Sequence, residues 1–491
     1  MSVKINGNRP DCDVVVVGSG PNGLAAALTM QQAGLSVLLL EGAPGVGGGM
    51  RTEELTLPGF LHDVCSAVHP LAAISPFFNS LPLEAHGARF IYPDLPAAHP
   101  LEDGTAACLH VSLDQTAQAM AADGAVYRKL MAPLLKDWPL IADDLLGPFR
   151  IPAHPLKTFR FARQALQSAE ALTDRFSTAG GRALWAGMAA HSMQPLSARL
   201  TAAIGLVLMA AGHRRGWPVV EGGSGRLAAA MASLFVSLGG KIETGIYVRS
   251  LAQLPSSHAV MLDVTPRQLL AIAGHRFSTF YKWQLERYRY GMGVFKVDWA
   301  LDGPVPFTAE ACRKAGTVHL GNTWEEIAAS ERDVSLGKHP DRPFVLMAQQ
   351  SLFDPTRAPA GKHTAWAYCH VPHASTRDMT EAVEAQVERF APGFRERILA
   401  RHVMDTARME AYNPNYIGGD INGGALRLSQ LFTRPALRSA PYRTSAKGIY
   451  ICSAATPPGG GVHGLCGYHA ARRAWKDIFK SSLSSGKPKK R

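Results

Sequence analysis

Charge is scarce in this chain. Only 18% of its 491 residues are Asp, Glu, Lys or Arg, against about a quarter in an average soluble domain. Apolar residues stand at an ordinary 46%. That balance excludes a disordered protein and suits a large core with room for a greasy pocket. Cysteine is also sparse. Cys12, Cys65, Cys108, Cys312, Cys369, Cys452 and Cys466 are scattered, odd in number and free of any C-x-x-C. This excludes a disulfide scaffold and fits free thiols in a reducing, cytoplasmic compartment. No stretch of about eighteen apolar residues runs without a breaker, so no membrane-spanning helix is expected. The opening residues MSVKINGNRPDCD have no apolar centre of the kind a signal peptide needs. His370 and His373 form H-V-P-H with no third ligand in view, so no metal site is expected.

Glycine is abundant and placed. Residues 13–41 read as a strand, a glycine turn, a helix, a second strand and a terminal acid. Val14 to Val17 are a continuous β-branched run, as a strand buried on both faces requires. Gly18, Gly20 and Gly23 complete G-x-G-x-x-G. The first allows the tight turn, the second lets backbone approach a pyrophosphate, and the third lets helix pack on strand. Pro21 and Asn22 open the helix, whose free N–H groups and dipole favour phosphate. Glu41 closes the second strand, where a carboxylate accepts from both ribose hydroxyls and disfavours a 2′-phosphate.

Three further segments extend the pattern. Just after the acid, Gly42 opens a loop that holds Gly47, Gly48, Gly49, Arg51 and Thr52. Residues 217–248 place a glycine pair before a helix, a second pair after it, and Val248 beyond a short strand. Residues 448–475 give a strand, then Ser453, then the loop Pro457-Pro458-Gly459-Gly460-Gly461, then Val462, His463 and a helix. In order and spacing the four segments resemble the FAD-dependent phytoene (carotenoid) desaturase-like family. Within it they are most similar to the branch described as pyridine nucleotide-disulfide oxidoreductase-like. The match departs at one point: Gly49 stands where the family commonly has Arg, and Arg51 lies two places later.

The resemblance implies an α/β fold: a discontinuous Rossmann-like FAD-binding domain (1–80, 215–285 and 440–491) with an inserted α+β substrate domain (81–214 and 286–439). It implies non-covalent FAD held by the residues named above. It also implies a dehydrogenase or desaturase that oxidises a C–C bond of a lipid- or isoprenoid-like substrate, with oxygen, a quinone or another acceptor taking the electrons. An amine oxidase-like enzyme, a redox-neutral isomerase or saturase, and a non-catalytic flavoprotein stand as alternatives.

Flavin chemistry asks little of side chains, and the candidates are few. Gly293 to Leu301 alternates. Phe295, Val297, Trp299 and Leu301 face one way, and Val294, Lys296, Asp298 and Ala300 the other. Amine oxidase relatives carry a Lys near flavin N5 on such a strand, which nominates Lys296, with Asp298 as a ready partner. His463 follows the glycine loop and His69 a predicted loop; either ring suits proton transfer near neutrality. His191 reads as a packed histidine after a helical run. Tyr412 and Tyr416 lie in a turn-rich connector that could reach the pocket. Lys157, Arg160 and Arg163 recur at helical spacing among Leu156, Phe159, Phe161 and Leu166, the pattern of a lid helix or of peripheral membrane contact. Net charge is +12, four of it in the tail Lys487, Lys489, Lys490 and Arg491. No nucleic-acid module accompanies it.

Overall fold

A computed structural model describes residues 10–480. Two sheets organise it. The first has five parallel strands in the order Ile449–Ile451, Ser257–Leu262, Cys12–Val17, Val37–Leu40, Lys241–Glu243. Its central strand is the β-branched run; Val14, Val15 and Val16 are fully buried. Helix Pro21–Gln32 covers one face, its alanines letting helix Leu465–Ala474 approach closely. A Cβ on Gly467 would overlap the Asn22 carbonyl, so only glycine permits that contact. Helices Pro266–Ala273 and Thr279–Glu286 cover the other face. Strands remote in sequence thus end side by side at one edge, where open α/β sheets bind ligands.

The second sheet has seven strands in the order Ile398–Met404, Gly293–Leu301, His363–Val371, Val345–Ala348, Ala315–Leu320, Leu95–Pro100, Ala106–Leu109. All neighbours are antiparallel except Ala315–Leu320 with Leu95–Pro100. Segment 81–214, which reads as mostly helical, therefore also gives two strands to a sheet otherwise built by segment 286–439. Strand Gly293–Leu301 alternates as the sequence predicts. Phe295, Val297, Trp299 and Leu301 pack with helix Thr380–Phe390 on the outer face. Lys296 and Asp298 lie on the inner face, in register with Tyr368 and Trp366. No helix among the described residues is long and apolar enough to cross a membrane. The basic tail, Lys487 to Arg491, lies outside the described residues.

Candidate dinucleotide and substrate site

A cavity of about 680 Å³ runs from the edge of the parallel sheet to the inner face of the seven-stranded sheet, within the usual range for a ligand site.

Its near end is built by backbone. Gly18 has φ +96°, and a Cβ there would lie 3.1 Å from Asp263 Cβ. A Cβ on Gly23 would overlap the Gly18 carbonyl. Helix Pro21–Gln32 begins with no side-chain cap, and Pro21 has no N–H to satisfy. Asn22, at its first turn, carries a buried Oδ1 with no protein partner. The glycines and the uncapped helix start form a cradle of the kind a diphosphate requires. Glu41 stands at the rim, accepting from Ser19 N and Ala43 N at 2.8 Å each and paired with Arg51 at 3.3 Å. Arg51 packs over the Tyr412 ring at 5.4 Å, at the cavity wall. Tyr412 Oη donates to Gly48 O at 2.7 Å, and Gly48 itself presses on Gly20.

The near end also holds a carboxyl that sequence reading missed. Asp263 follows strand Ser257–Leu262, and its Oδ2 accepts from Gly23 N at 2.9 Å. Burial raises its pKa to about 7, against the Gly23 N–H, which favours the ionised form. The Gly23 contact spans 240 positions, so nothing local in the sequence signals it.

Of the predicted cofactor residues, Gly18, Gly20, Pro21, Asn22 and Glu41 line the near end, with Gly42, Gly48, Gly49 and Arg51 beside them. Val248 lines it from the middle segment, and Ser453, Gly461 and Val462 from the C-terminal one. Gly23, Gly47, Thr52, Pro458, Gly460 and His463 stand behind the wall. Gly47 N donates to Ser19 O at 3.0 Å, which sets the second glycine loop against the first. Thr52 Oγ1 donates to Asp63 at 2.8 Å and accepts from Gly225 N at 2.9 Å, which clamps that loop to helix Ser224–Ser237. Below this clamp the fully buried Arg357 bridges Asp63 at 3.0 Å and Asp354 at 2.8 Å.

The structure does not bring the three catalytic candidates to the cavity wall. His463 is buried with both ring nitrogens committed. Nε2 meets Gly459 O at 3.1 Å, and Nδ1 accepts from Leu465 N at 3.0 Å. Burial drives its pKa down to about 4, so it is a neutral ring that pins the glycine loop to the helix start. His69 is buried against Ser224 Oγ at 2.9 Å, and burial drives it to about 4 as well. Lys296 is almost wholly buried and pairs with Asp298, beneath the Trp366 ring at 5.9 Å. His62 and His402 approach Asp298 at 3.8 and 3.6 Å. Burial works to raise the Asp298 pKa. The Lys296 ammonium outweighs it, with help from the two histidines, and holds the group low. His370 sits on Glu331 at 2.8 Å and His373 on Gly291 O at 2.9 Å. Among the described residues no group of three or more His, Cys, Asp or Glu is placed to hold a metal.

The far end is walled by His191, Leu208, Trp217, Thr317, Leu346, Trp366 and Tyr368. Tyr416 and Asn422 also line the cavity. Of these, only His191 and Tyr416 figured in the sequence reading, and His191 there reads as core. It ends helix Ala179–Ala190 and opens onto the cavity.

Comparison with known proteins agrees with this geometry. Residues 16–81 match the model of an NAD(P)-binding Rossmann-like domain. The chain is 26% identical to pyridine nucleotide-disulfide oxidoreductase domain-containing protein 2 of Mus musculus, over 96% of this chain and 94% of the relative. It is 23% identical to a limonene dehydrogenase polypeptide of Castellaniella defragrans, over 95% of each. A solved putrescine oxidase structure superposes with a TM-score of 0.60 at 17% identity, over 96% of this chain and 99% of that one. The chain is thus similar along almost its whole length to oxidoreductases, and its fold is that of the putrescine oxidase structure.

Proposed function

We propose that this protein is an FAD-dependent dehydrogenase or desaturase that removes two hydrogens from a C–C bond of an uncharged, hydrophobic substrate. The observation that carries the substrate class is the far wall: no Asp or Glu lines it. The two acids of the cavity, Glu41 and Asp263, both stand at the dinucleotide end, and the acids nearest the far wall are taken up by Lys296 and His370. An ammonium substrate would find no counterion there, and a buried unpaired charge is costly. This favours C–C over C–N oxidation despite the shared fold with an amine oxidase.

FAD when bound supplies the two-electron acceptor for hydride. The chain's own residues would hold and orient it. The uncapped start of helix Pro21–Gln32 would hold the diphosphate, and Glu41 would accept from the ribose. Ser453, Gly461 and Val462, which line the cavity, would give backbone access to the ring. The far wall, which carries no acidic side chain and is mostly aromatic and aliphatic, would keep water from the reacting carbon. The exposed Phe149, Ile151, Leu156 and Phe159, interleaved with Arg150, Lys157, Arg160 and Arg163, support a further element of the proposal, contact with an anionic membrane surface that delivers such a substrate.

The test is the anaerobic visible spectrum of the purified protein before and after addition of a neutral lipid extract or of a panel of primary amines. Bleaching of a flavin band by the lipid fraction alone supports the reading. Bleaching by amines alone overturns it.

A further inference from the structure

We infer that a basic cavity beside Phe149 takes the phosphate of an anionic lipid head group and so fixes the protein on the membrane. This rests on the membrane contact proposed above and names its ligand.

The cavity measures about 250 Å³ and lies apart from the dinucleotide and substrate site. It is smaller than a site for a whole small molecule, so it suits a head group and leaves the acyl chains outside. Its wall is made by residues 148–150, residues 439–442 and one face of helix Leu465–Ala474 with its continuation Trp475–Phe479. Arg150, Arg472, Arg473 and Lys476 stand on that wall, and no acid does.

Some of this charge is already answered. Asp144 takes Arg150 at 2.8 Å, and Asp477 takes Arg473 at 3.0 Å and also Arg443. Asp143 is the remaining carboxylate that acts on the site. Burial drives His469, also on the wall, down to about 4, so it adds no charge. Five cations thus face three carboxylates. Arg472 and Lys476 make no ion pair among the described residues; Arg472 Nη1 donates only to the neutral Tyr468 Oη, at 3.1 Å. Both are exposed and four positions apart on the helix, where like charges repel. A phosphate between them would relieve that repulsion and accept from both.

The surroundings select a lipid over a free phosphate. Phe149 is part of the cavity wall and is also 80% exposed. Its ring meets exposed Phe432 edge-on at 5.2 Å. Exposed Ile151 follows Arg150 directly. Thr158 Oγ1 comes within 3.5 Å of the same Asp144 that holds Arg150, which brings helix Pro155–Ala165 and its exposed Leu156 and Phe159 to this edge. A soluble phosphate would leave these side chains in water. The chains of a lipid held by its head group would cover them.

The test is sedimentation of the purified full-length protein with vesicles of phosphatidylcholine carrying either phosphatidic acid or oleate at matched surface charge. Phosphatidic acid vesicles should bind about tenfold tighter, the worth of one charge-assisted hydrogen bond. Arg472→Gln and Lys476→Gln should each remove most of that preference. Lys241→Gln makes the same charge change on the opposite edge strand of the parallel sheet and should leave it intact. Ile151→Asp should weaken binding to both vesicles alike, and inorganic phosphate should not displace bound protein. All four residues are exposed, and far-ultraviolet circular dichroism checks that each variant is folded. Equal binding to the two vesicles, a preference that survives Arg472→Gln and Lys476→Gln, an equal loss with Lys241→Gln, or displacement by inorganic phosphate would overturn the head-group site. If Ile151→Asp still weakens binding in those cases, the membrane contact stands without the site. No sedimentation with either vesicle overturns both.

Discussion

The two ends of the cavity are built by different means. At the dinucleotide end the backbone does the work: Gly18, Gly20 and Gly48 are there because a Cβ would meet Asp263 or a neighbouring chain segment. The acids at that end also have protein donors. Glu41 accepts from Ser19 and Ala43, and Asp263 from Gly23. At the far end side chains do the work, and several are left without partners. A cofactor of fixed chemistry is met by close backbone approach, which needs short local motifs. A substrate is met by side chains that distant segments bring to one wall. The first end should therefore fail as a unit when a glycine is filled, and the second should change selectivity residue by residue.

Gly23→Val breaks the comparison hardest. Its side chain would collide with the Gly18 carbonyl, at a cost beyond about 5 kcal/mol. The expected result is protein without flavin, or no soluble protein, measured as flavin absorbance per mole. Full flavin content would show that the turn is not close-packed. Lys296→Met comes next. It strands the Asp298 carboxylate, which is fully buried, and should cost about 3–5 kcal/mol in denaturant unfolding. Lys296→Met with Asp298→Asn should recover much of that. A Lys296→Met protein of wild-type stability would contradict the ion pair.

Asp263 separates the two ends by pH. Its folded pKa of about 7 lies above its ordinary 3.8, so the folded state binds the extra proton. Its stabilising contribution is complete below the unfolded value and is lost as pH rises through about 7. The wild type should lose on the order of a few kcal/mol between about pH 4 and 7 relative to Asp263→Asn, and no more above that. Flavin retention should weaken over the same window. Identical pH profiles for the two proteins would remove Asp263 from the account. The smallest effect is expected outside the cavity. Ile151 is 93% exposed, and Ile151→Asp should lower sedimentation with anionic vesicles about tenfold, with flavin content unchanged. Unaltered sedimentation would argue against membrane contact at this surface.

The same contrast explains what the sequence revealed. The glycine turn, Glu41 and the alternating strand Gly293–Leu301 are legible because strand periodicity and close-approach glycines are local signals. Lys296 is legible as a residue of the inner face, but its burial under Trp366 depends on the register of two strands far apart in sequence. His191 reads as core because it follows a helical apolar run. Its exposure to the cavity arises only where helix Ala179–Ala190 meets strand Ala315–Leu320. His69 and His463 look reactive by position, yet each is buried in a hydrogen bond to its surroundings and neither lines the cavity wall. Asp263 and Arg357 carry no local signal at all, since their partners lie as far as 240 and 294 positions away.

The most direct test of the central claim is an anaerobic titration of the purified protein with a neutral lipid extract, followed at the flavin band. A flavoprotein that bleaches with lipid and stays oxidised with primary amines is the predicted result. A protein that takes up no FAD, or one that bleaches only with amines, would contradict the account.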